Sequence, residues 1–386
     1  MAPSIFPFES IPDARLLAFA KHVFCRDATV LDGEELHALC ELHDVQRDEA
    51  ERLLGDIFGL IPTGESWDCA TIVDAKQQWM LDHPVQFALV NGREDEGHAL
   101  KRYKEELERK GIPFDEFYLD QLAIGNDGLQ GFPKDATYAA IILTNPELLE
   151  PDSAPIFLLK TALIRELERC GRVFPTIDED LAVRSKLSVL QSIAAAGLPT
   201  PRTLVTASID AGLKFIDSVH GQGTDIVVKP LAKGGGWGVS KIPQGTSKSN
   251  VVDLLGKFKW WYGAGAFLLQ EFIPNRGNDT RVLVLDGLVI GAETREASSN
   301  GESWIYNISK GGLGRAHEVT SSERDLVLAA VNITHQFFSG VDIITGLNGT
   351  NYILEINSCP GFKGLEECTG INVAAFVIDY LVFFPR

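Results

Sequence analysis

The sequence is poor in positive charge. Its 386 residues include 35 Lys and Arg against 53 Asp and Glu, which gives a formal net charge of −18. Sequence-independent nucleic-acid binding depends on clustered cations, so this balance argues against DNA or RNA as a partner. A nucleotide needs only a local cationic cradle and remains compatible with the composition.

Paired cysteines and long apolar runs are also lacking. The six cysteines include no C-x-x-C pair, which is typical of reduced thiols in a cytosolic protein. The opening residues, MAPSIFPFES, lack the basic and then apolar layout of a signal peptide. The longest apolar stretch, INVAAFVIDYLVFF, is shorter than the roughly 20 residues of a membrane span and contains Asp379. We therefore expect a cytoplasmic protein that does not enter a membrane.

The N-terminal part of the chain is the most acidic. Residues 1–83 contain 16 acids and 6 bases. Apolar residues recur at spacings of three and four between residues 11 and 60, which predicts helices. We interpret residues 1–80 as an acidic helical extension. It could cap a site, form a homo-oligomer interface or recognise an acceptor, and a plain solvated helical face is the simpler alternative.

After residue 84 the pattern changes to alternating strands and helices. The segments QFALVN, FDEFYLD and YAAIILTN each indicate a strand, and the charged helix HALKRYKEELERKG separates the first two. This order predicts parallel pairing in an α/β layer over residues 84–180. Further along, two hairpins are predicted, with turns at Asp286-Gly287 and Asn348-Gly349. The predicted fold class is therefore α/β (α+β), with a parallel layer followed by antiparallel hairpins.

Three oxygen-bearing side chains fall on the second hairpin. Glu355 and Asn357 are two apart on a strand and share one face. A two-residue turn at Asn348-Gly349 pairs Asp342 with Glu355, with their Cβ atoms about 5 Å apart. Two carboxylates and an amide oxygen suit Mg²⁺. The alternative is an exposed polar face of the hairpin.

Two other segments could carry chemistry. The glycine-rich KGGGWGVSK begins at Lys233 and follows a strand bearing Lys229; consecutive glycines let backbone N–H groups point at phosphate oxygens. The alternative is a hairpin tip without a ligand. Asp279 and Arg281 are two apart on a later strand, where a surface ion pair is the alternative.

The order of these segments resembles the ATP-grasp carboxylate–amine ligases. The closing stretch NSCPGFKGLEECTGINVAAFVIDYL is similar to that of the RimK-type branch, the ribosomal-protein glutamate ligases. The resemblance covers residues 84–386 and leaves residues 1–80 outside. It implies an α/β pre-ATP-grasp domain over 84–180 and an ATP-grasp domain over 181–386. Within the latter, 181–265 would form the N-lobe with the glycine loop, and 266–386 the C-lobe with the metal site.

The resemblance also implies roles for individual residues. Arg281, Lys186 and Lys229 would be catalytic. The metal ligands would be Asp342, Glu355 and Asn357, holding two Mg²⁺ ions with Mn²⁺ as a substitute. The nucleotide-binding set would be Lys186, Lys229, Lys233, Gly235, Gly236, Trp237, Gly238, Gln270, Glu271, Phe272, Ile273, Asp279, Asn307 and Lys310.

The implied reaction activates a carboxylate with ATP and joins it to an amine through an acyl phosphate. The donor would be a small-molecule or peptide carboxylate, and the acceptor an amine of an amino acid, peptide or small molecule. The family often has an Arg-Ser-Asn run where this chain has SWIYNISKGG, with Asn307 and Lys310 as counterparts and no arginine. The donor therefore need not be glutamate. A degenerate ATP-grasp protein that binds nucleotide and a partner without turnover is the alternative.

Overall fold

The N-terminal part of the chain is helical, as predicted. The computed structural model describes residues 5–94, 97–133, 135–145, 154–231, 238–261, 265–296 and 313–384. The first helices are α1 (Ala14–Cys25), α2 (Gly33–His43), α3 (Arg47–Phe58) and α4 (Ala70–Asp82). The Asp32 carboxylate begins α2 by accepting bonds from two backbone N–H groups, while Glu35 closes the capping box. A small sheet that was not predicted joins β1 (Val30–Leu31), β2 (Pro62–Thr63) and β3 (Ser66–Asp68).

A parallel sheet follows, which confirms the predicted α/β layer. The strand order is β5-β4-β8-β9, and each neighbouring pair is parallel. The strands here are β4 (Phe87–Asn91), β5 (Phe114–Tyr118), β6 (Ala123–Gly125), β7 (Gly128–Gln130), β8 (Ala140–Asn145) and β9 (Val173–Phe174). The helices are α5 (His98–Arg109) and α6 (Ala154–Cys170). β6 and β7 form a separate short hairpin.

The next segment forms what we call the first antiparallel sheet, in the order β10-β13-β11-β12. Its strands are β10 (Thr203–Thr206), β11 (Ile226–Pro230), β12 (Ser240–Ile242) and β13 (Phe267–Glu271). The helices of this segment are α7 (Ile177–Arg184), α8 (Lys186–Ala195), α9 (Ile209–His220) and α10 (Lys248–Trp261). α9 and α10 bury the apolar side of the sheet around Val228, Leu255 and Phe267.

The second antiparallel sheet has the order β16-β15-β14-β17-β18. Its strands are β14 (Asn278–Leu285), β15 (Leu288–Glu296), β16 (Leu313–Ala316), β17 (Phe338–Thr345) and β18 (Asn351–Asn357). The helices are α11 (Ser321–Ile333), α12 (Lys363–Thr369) and α13 (Val373–Phe383). α8 and α11 pack on one face of this sheet, in a core that includes Ile193, Val331 and Val341.

The first predicted hairpin has the expected turn and an unexpected bulge. Asp286 and Gly287 join β14 to β15 and both have positive φ, 46° and 76°, as a type I′ turn requires. A register shift at Leu283 then moves the pairing by one residue, so that Asp279 lies opposite Arg295. The strict register of a two-residue turn would place Thr294 there instead.

The second hairpin reaches the predicted pairing by a different route. The turn is longer than two residues, since Thr345 pairs with Asn351. A register shift between Asp342 and Ile343 compensates for the longer turn. Asp342 therefore lies opposite Glu355, as predicted.

Helix α13 is buried on all sides and holds the N-terminal helices to the rest of the chain. Asp379, fully buried on α13, accepts a hydrogen bond of 2.5 Å from Lys76 Nζ on α4. Lys110 Nζ lies 2.8 Å from the other carboxylate oxygen. Lys76, with 2% of its side chain exposed, also donates to the carbonyl oxygen of Phe24 at 3.0 Å. Within the described residues, no helix has the length and apolarity to cross a membrane.

We predict that Lys76→Met destabilises the fold by about 3 kcal/mol, because it leaves the buried Asp379 carboxylate with Lys110 as its remaining cation. Lys101→Met is the matched control, since the Lys101 side chain is 63% exposed and its ion pair with Glu105 is on the surface. The midpoints of urea denaturation of the two variants check this prediction. Equal midpoints for the two variants would show that the buried pair does not stabilise the fold.

Candidate active site

A row of charged side chains crosses four neighbouring strands of the second antiparallel sheet. Arg281 on β14 is the direct partner of Glu293 on β15 and of Asp342 on β17, and Asp342 is the partner of Glu355 on β18. Direct partners project from the same face of a sheet. Glu293, Arg281, Asp342 and Glu355 therefore form one line, which we call the charged row.

Two arginines neutralise the buried carboxylates at the centre of the row. Arg281 donates to both oxygens of Asp342, from Nε at 2.7 Å and from Nη2 at 2.8 Å. Arg295 likewise donates to both oxygens of Asp279, from Nε at 2.8 Å and from Nη2 at 2.6 Å. Its Nη2 also lies 3.1 Å from Asp342 Oδ2. Asp279 and Arg281 are thus not a surface ion pair, since each is bound to a different partner. Paired charges of this kind are what a buried polar cluster requires.

Lys186 and Asn357 contact the Glu355 end of the row. Lys186 is the first residue of α8, whose N-cap is Ser185, and its Nζ donates to Glu355 Oε2 at 3.0 Å. Asn357 Nδ2 donates to the other oxygen of Glu355 at 3.2 Å. The attraction of Lys186 holds the pKa of Glu355 well below its usual range, and Glu355 in turn raises the pKa of Lys186. Both groups are therefore charged at neutral pH.

The first antiparallel sheet supplies a second cation. Lys229 Nζ donates to Gln270 Oε1 at 2.7 Å, and Gln270 Nε2 donates to the Thr203 hydroxyl at 3.1 Å. Burial, together with repulsion from Lys186, lowers the pKa of Lys229 to about 8. The carboxylates of Glu355, Asp342 and Asp279 act on the pKa of Lys229 in the opposite direction.

The remaining predicted nucleotide residues are only partly described. The backbone N–H of Glu271 donates to the Arg202 carbonyl at 2.9 Å, and the Phe272 ring lies 3.8 Å from Lys241 Nζ. Ile273 is buried, and Gly238 has a φ of 72°. The other predicted contacts lie outside the described residues: Lys233, Gly235, Gly236, Trp237, Asn307 and Lys310.

Sequence reasoning missed Arg295, Glu293 and Gly340. The first two lie on β15, where the bulge at Leu283 shifts the register that the turn alone predicts. Gly340 lies under the site: a Cβ there would be 2.8 Å from Pro360 Cβ and 3.6 Å from Arg281 Cδ. Arg281 crosses this glycine to reach Asp342. The sequence around Gly340 does not indicate that Pro360 and Arg281 pack against this glycine.

The oxygen donors fit magnesium better than a transition metal. Asp342, Glu355 and Asn357 offer two carboxylates and an amide, which are hard ligands for Mg²⁺ that phosphate oxygens and water would complete. Within the described part of the chain, no group of three or more His, Cys, Asp or Glu is placed to hold a metal.

The sequence family agrees with this arrangement of fold and site. The model of the RimK-like ATP-grasp domain family matches residues 183–381, which is more than half of the chain. The chain belongs to this family and is an ATP-dependent carboxylate–amine ligase.

Curated relatives carry ligase names. The chain is 33% identical over 192 residues to the tetrahydromethanopterin:alpha-L-glutamate ligase of Methanocaldococcus jannaschii, covering 49% of this chain and 62% of that protein. It is 28% identical over 288 residues to a probable alpha-L-glutamate ligase of Psychromonas ingrahamii, covering 74% of this chain and 91% of the relative.

Solved structures share the fold. The ATP-grasp ligase PsnB, complexed with minimal precursor, Mg and ADP, matches with a TM-score of 0.59 at 20% identity, over 77% of this chain and 96% of PsnB. The D-cycloserine synthetase DcsG matches with a TM-score of 0.58 at 16% identity, over 77% of this chain and 99% of DcsG. At these identities the likeness concerns the fold alone.

We predict that Gly340→Ala destabilises the fold by about 1–3 kcal/mol, because the added methyl group must displace Pro360 and crowds Arg281. Gly361→Ala is the control, since a Cβ at Gly361 meets nothing within 4 Å. Denaturant midpoints of the two variants check the prediction. Equal destabilisation of both would contradict the steric argument.

Proposed function

We propose that this ligase activates its donor carboxylate as an acyl phosphate and joins it to an amine, with release of ADP and phosphate. The observation that carries this proposal is the charged row, which has Lys186 and Lys229 beside its Glu355 end. The donor is a small-molecule or peptide carboxylate, and the acceptor is an amine of an amino acid, peptide or small molecule. The neighbouring structures are bound to precursor peptides in several cases, and the curated relatives are named for glutamate, so peptides and L-glutamate are the first substrates to test.

In this proposal the nucleotide lies between the two antiparallel sheets. Lys186 and Lys229 hold its phosphates, and the glycine loop from Lys233 to Gly238 closes over them. The adenine lies against Gln270 to Ile273. Support comes from the position of Lys229, a buried cation next to Lys186 whose Nζ donates to the neutral amide of Gln270.

The metal site in this proposal consists of Asp342, Glu355 and Asn357. They would hold two Mg²⁺ ions, with Mn²⁺ as a substitute, and these ions would supply positive charge that offsets the negative charge of the phosphates. In the structure Arg281 and Lys186 supply positive charge to the same carboxylates.

The reaction needs positioning and charge neutralisation more than acid–base chemistry. The γ-phosphoryl group passes to the donor carboxylate, which gives an acyl phosphate and ADP. The amine then attacks the carbonyl carbon, and phosphate leaves. Arg281 stabilises the charge on the donor and the acyl phosphate, and Arg295 keeps Asp279 and Asp342 in place around it.

We predict that Glu355→Gln lowers ADP formation by at least about 10²-fold, because it removes a charged metal ligand. Glu367→Gln is the matched control, since the Glu367 side chain is 62% exposed on α12. ADP release is measured with Mg²⁺-ATP and pooled amino acids, then with peptides as acceptors. Titration of Mn²⁺ by electron paramagnetic resonance reports metal binding independently. Near-normal turnover and metal binding in Glu355→Gln would reject the metal assignment, and bound ATP without turnover on any substrate would favour the binding-protein alternative.

We predict that nucleotide binding takes up protons near pH 8.5, because phosphate favours the charged form of Lys229, whose pKa is lowered to about 8. Affinity for Mg²⁺-ATP should fall as the pH rises through 8, since the free protein then loses this charge. Calorimetry in two buffers of different ionisation enthalpy measures the uptake. Lys229→Met should abolish it, whereas Lys214→Met, an exposed lysine on α9, should not. Unchanged uptake in Lys229→Met would remove Lys229 from the phosphate site.

A further inference from the structure

Glu293 occupies the end of the charged row away from the phosphate-binding cations. It is the direct partner of Arg281 on β15, whereas Glu355 and Lys186 lie at the other end, beyond Asp342. Neighbouring strands are about 4.8 Å apart, so Glu293 lies about one strand beyond Arg281 and three strands from Glu355. Glu293 therefore lies on the side of Arg281 opposite to the cations that are proposed to hold the nucleotide.

The Glu293 carboxylate is buried without full compensation. Glu293 is 2% exposed, and its Oε2 has no hydrogen-bond partner within the described residues. The nearby arginines donate to other carboxylates. Arg281 binds both oxygens of Asp342, and Arg295 binds both oxygens of Asp279. Desolvation raises the pKa of Glu293. A buried carboxylate oxygen without a donor is costly, and such groups persist where a ligand supplies the missing partner.

A missing partner for a carboxylate oxygen must be a hydrogen-bond donor, and a cation is the best one. The proposed reaction brings in such a cation, because an amine substrate is an ammonium ion at neutral pH. The amine must also approach the carbonyl carbon held at Arg281, whose Cβ lies about 5 Å from that of a direct partner. The position and the chemistry of Glu293 therefore agree.

We propose that Glu293 binds the ammonium group of the amine substrate and takes up the proton that this nitrogen must lose before it attacks the carbonyl carbon. The proposal rests on the proposed function, since it assigns the acceptor side of the same site. Arg281 then holds the donor, and the two adjacent positions of the row bring the reacting groups together. Glu293 thus acts on the nucleophile and is not needed for the activation of the carboxylate.

Hydroxylamine distinguishes the binding of the amine substrate from the activation of the donor carboxylate. It is uncharged at neutral pH and traps an acyl phosphate as a hydroxamate, so it reports activation without an ammonium site. The protein is incubated with Mg²⁺-ATP and the twenty common L-amino acids, with and without hydroxylamine. Hydroxamate is measured by its colour with iron(III), and amide products are measured by mass spectrometry.

We expect Glu293→Gln to lower the amide product about 10- to 100-fold while hydroxamate formation stays within about twofold of the wild type. Glu293→Met tests folding, because it replaces the carboxylate with a side chain of similar size and should be at least as stable in urea. Glu296→Gln is the matched control on the same strand, where Glu296 pairs with Arg315 at 3.2 Å on the surface.

The outcomes distinguish the two proposals. A wild type that forms neither ADP nor hydroxamate on any substrate would overturn the proposed function, and the role of Glu293 with it. An active wild type whose Glu293→Gln variant keeps its amide product would overturn the role of Glu293 alone. An equal loss of amide and hydroxamate would also overturn it, since that result would mean Glu293 only supports Arg281.

Discussion

The arrangement of the site depends on the ion pair between Arg281 and Asp342. Both side chains project from the centre of the second antiparallel sheet, where a lone charge would be costly, and the two-pronged contact satisfies both carboxylate oxygens at once. The contact requires that two neighbouring strands, β14 and β17, pair in a fixed register and that position 340, over which the arginine lies, is a glycine.

The balance between positive and negative charge changes from one end of the charged row to the other. At one end Lys186 and Glu355 neutralise each other, and nearby Lys229 donates to the amide oxygen of Gln270. At the other end Glu293 has one carboxylate oxygen to which no group of the described residues donates. The site therefore has a surplus of positive charge where phosphates are proposed to bind and a surplus of negative charge where an amine is proposed to bind. A ligand that carries both charges would be oriented by this gradient.

The N-terminal helices are part of the same structure and do not form a separate appendage. Their core continues into α13, and the buried Lys76–Asp379 contact fixes the connection. α12 and α13 directly follow β18, which carries Glu355 and Asn357. The N-terminal helices thus share a buried core with the helix that follows the strand of Glu355 and Asn357, which their acidic composition did not indicate.

The sequence by itself determined the element types, the parallel layer and the turn at Asp286-Gly287, because hydrophobic periodicity and turn residues are local signals. The pairing of Asp342 with Glu355 was predicted from a two-residue turn, but in the structure it depends on a longer turn and a compensating register shift. Tertiary structure decided the rest. The two register shifts depend on packing across strands, so Arg295 and Glu293 could not be placed from the turn alone. The partner of Lys76 is 303 residues away, and burial sets the pKa of Lys229. Such long-range contacts leave no periodic mark in the chain, because they arise only when separate elements pack together.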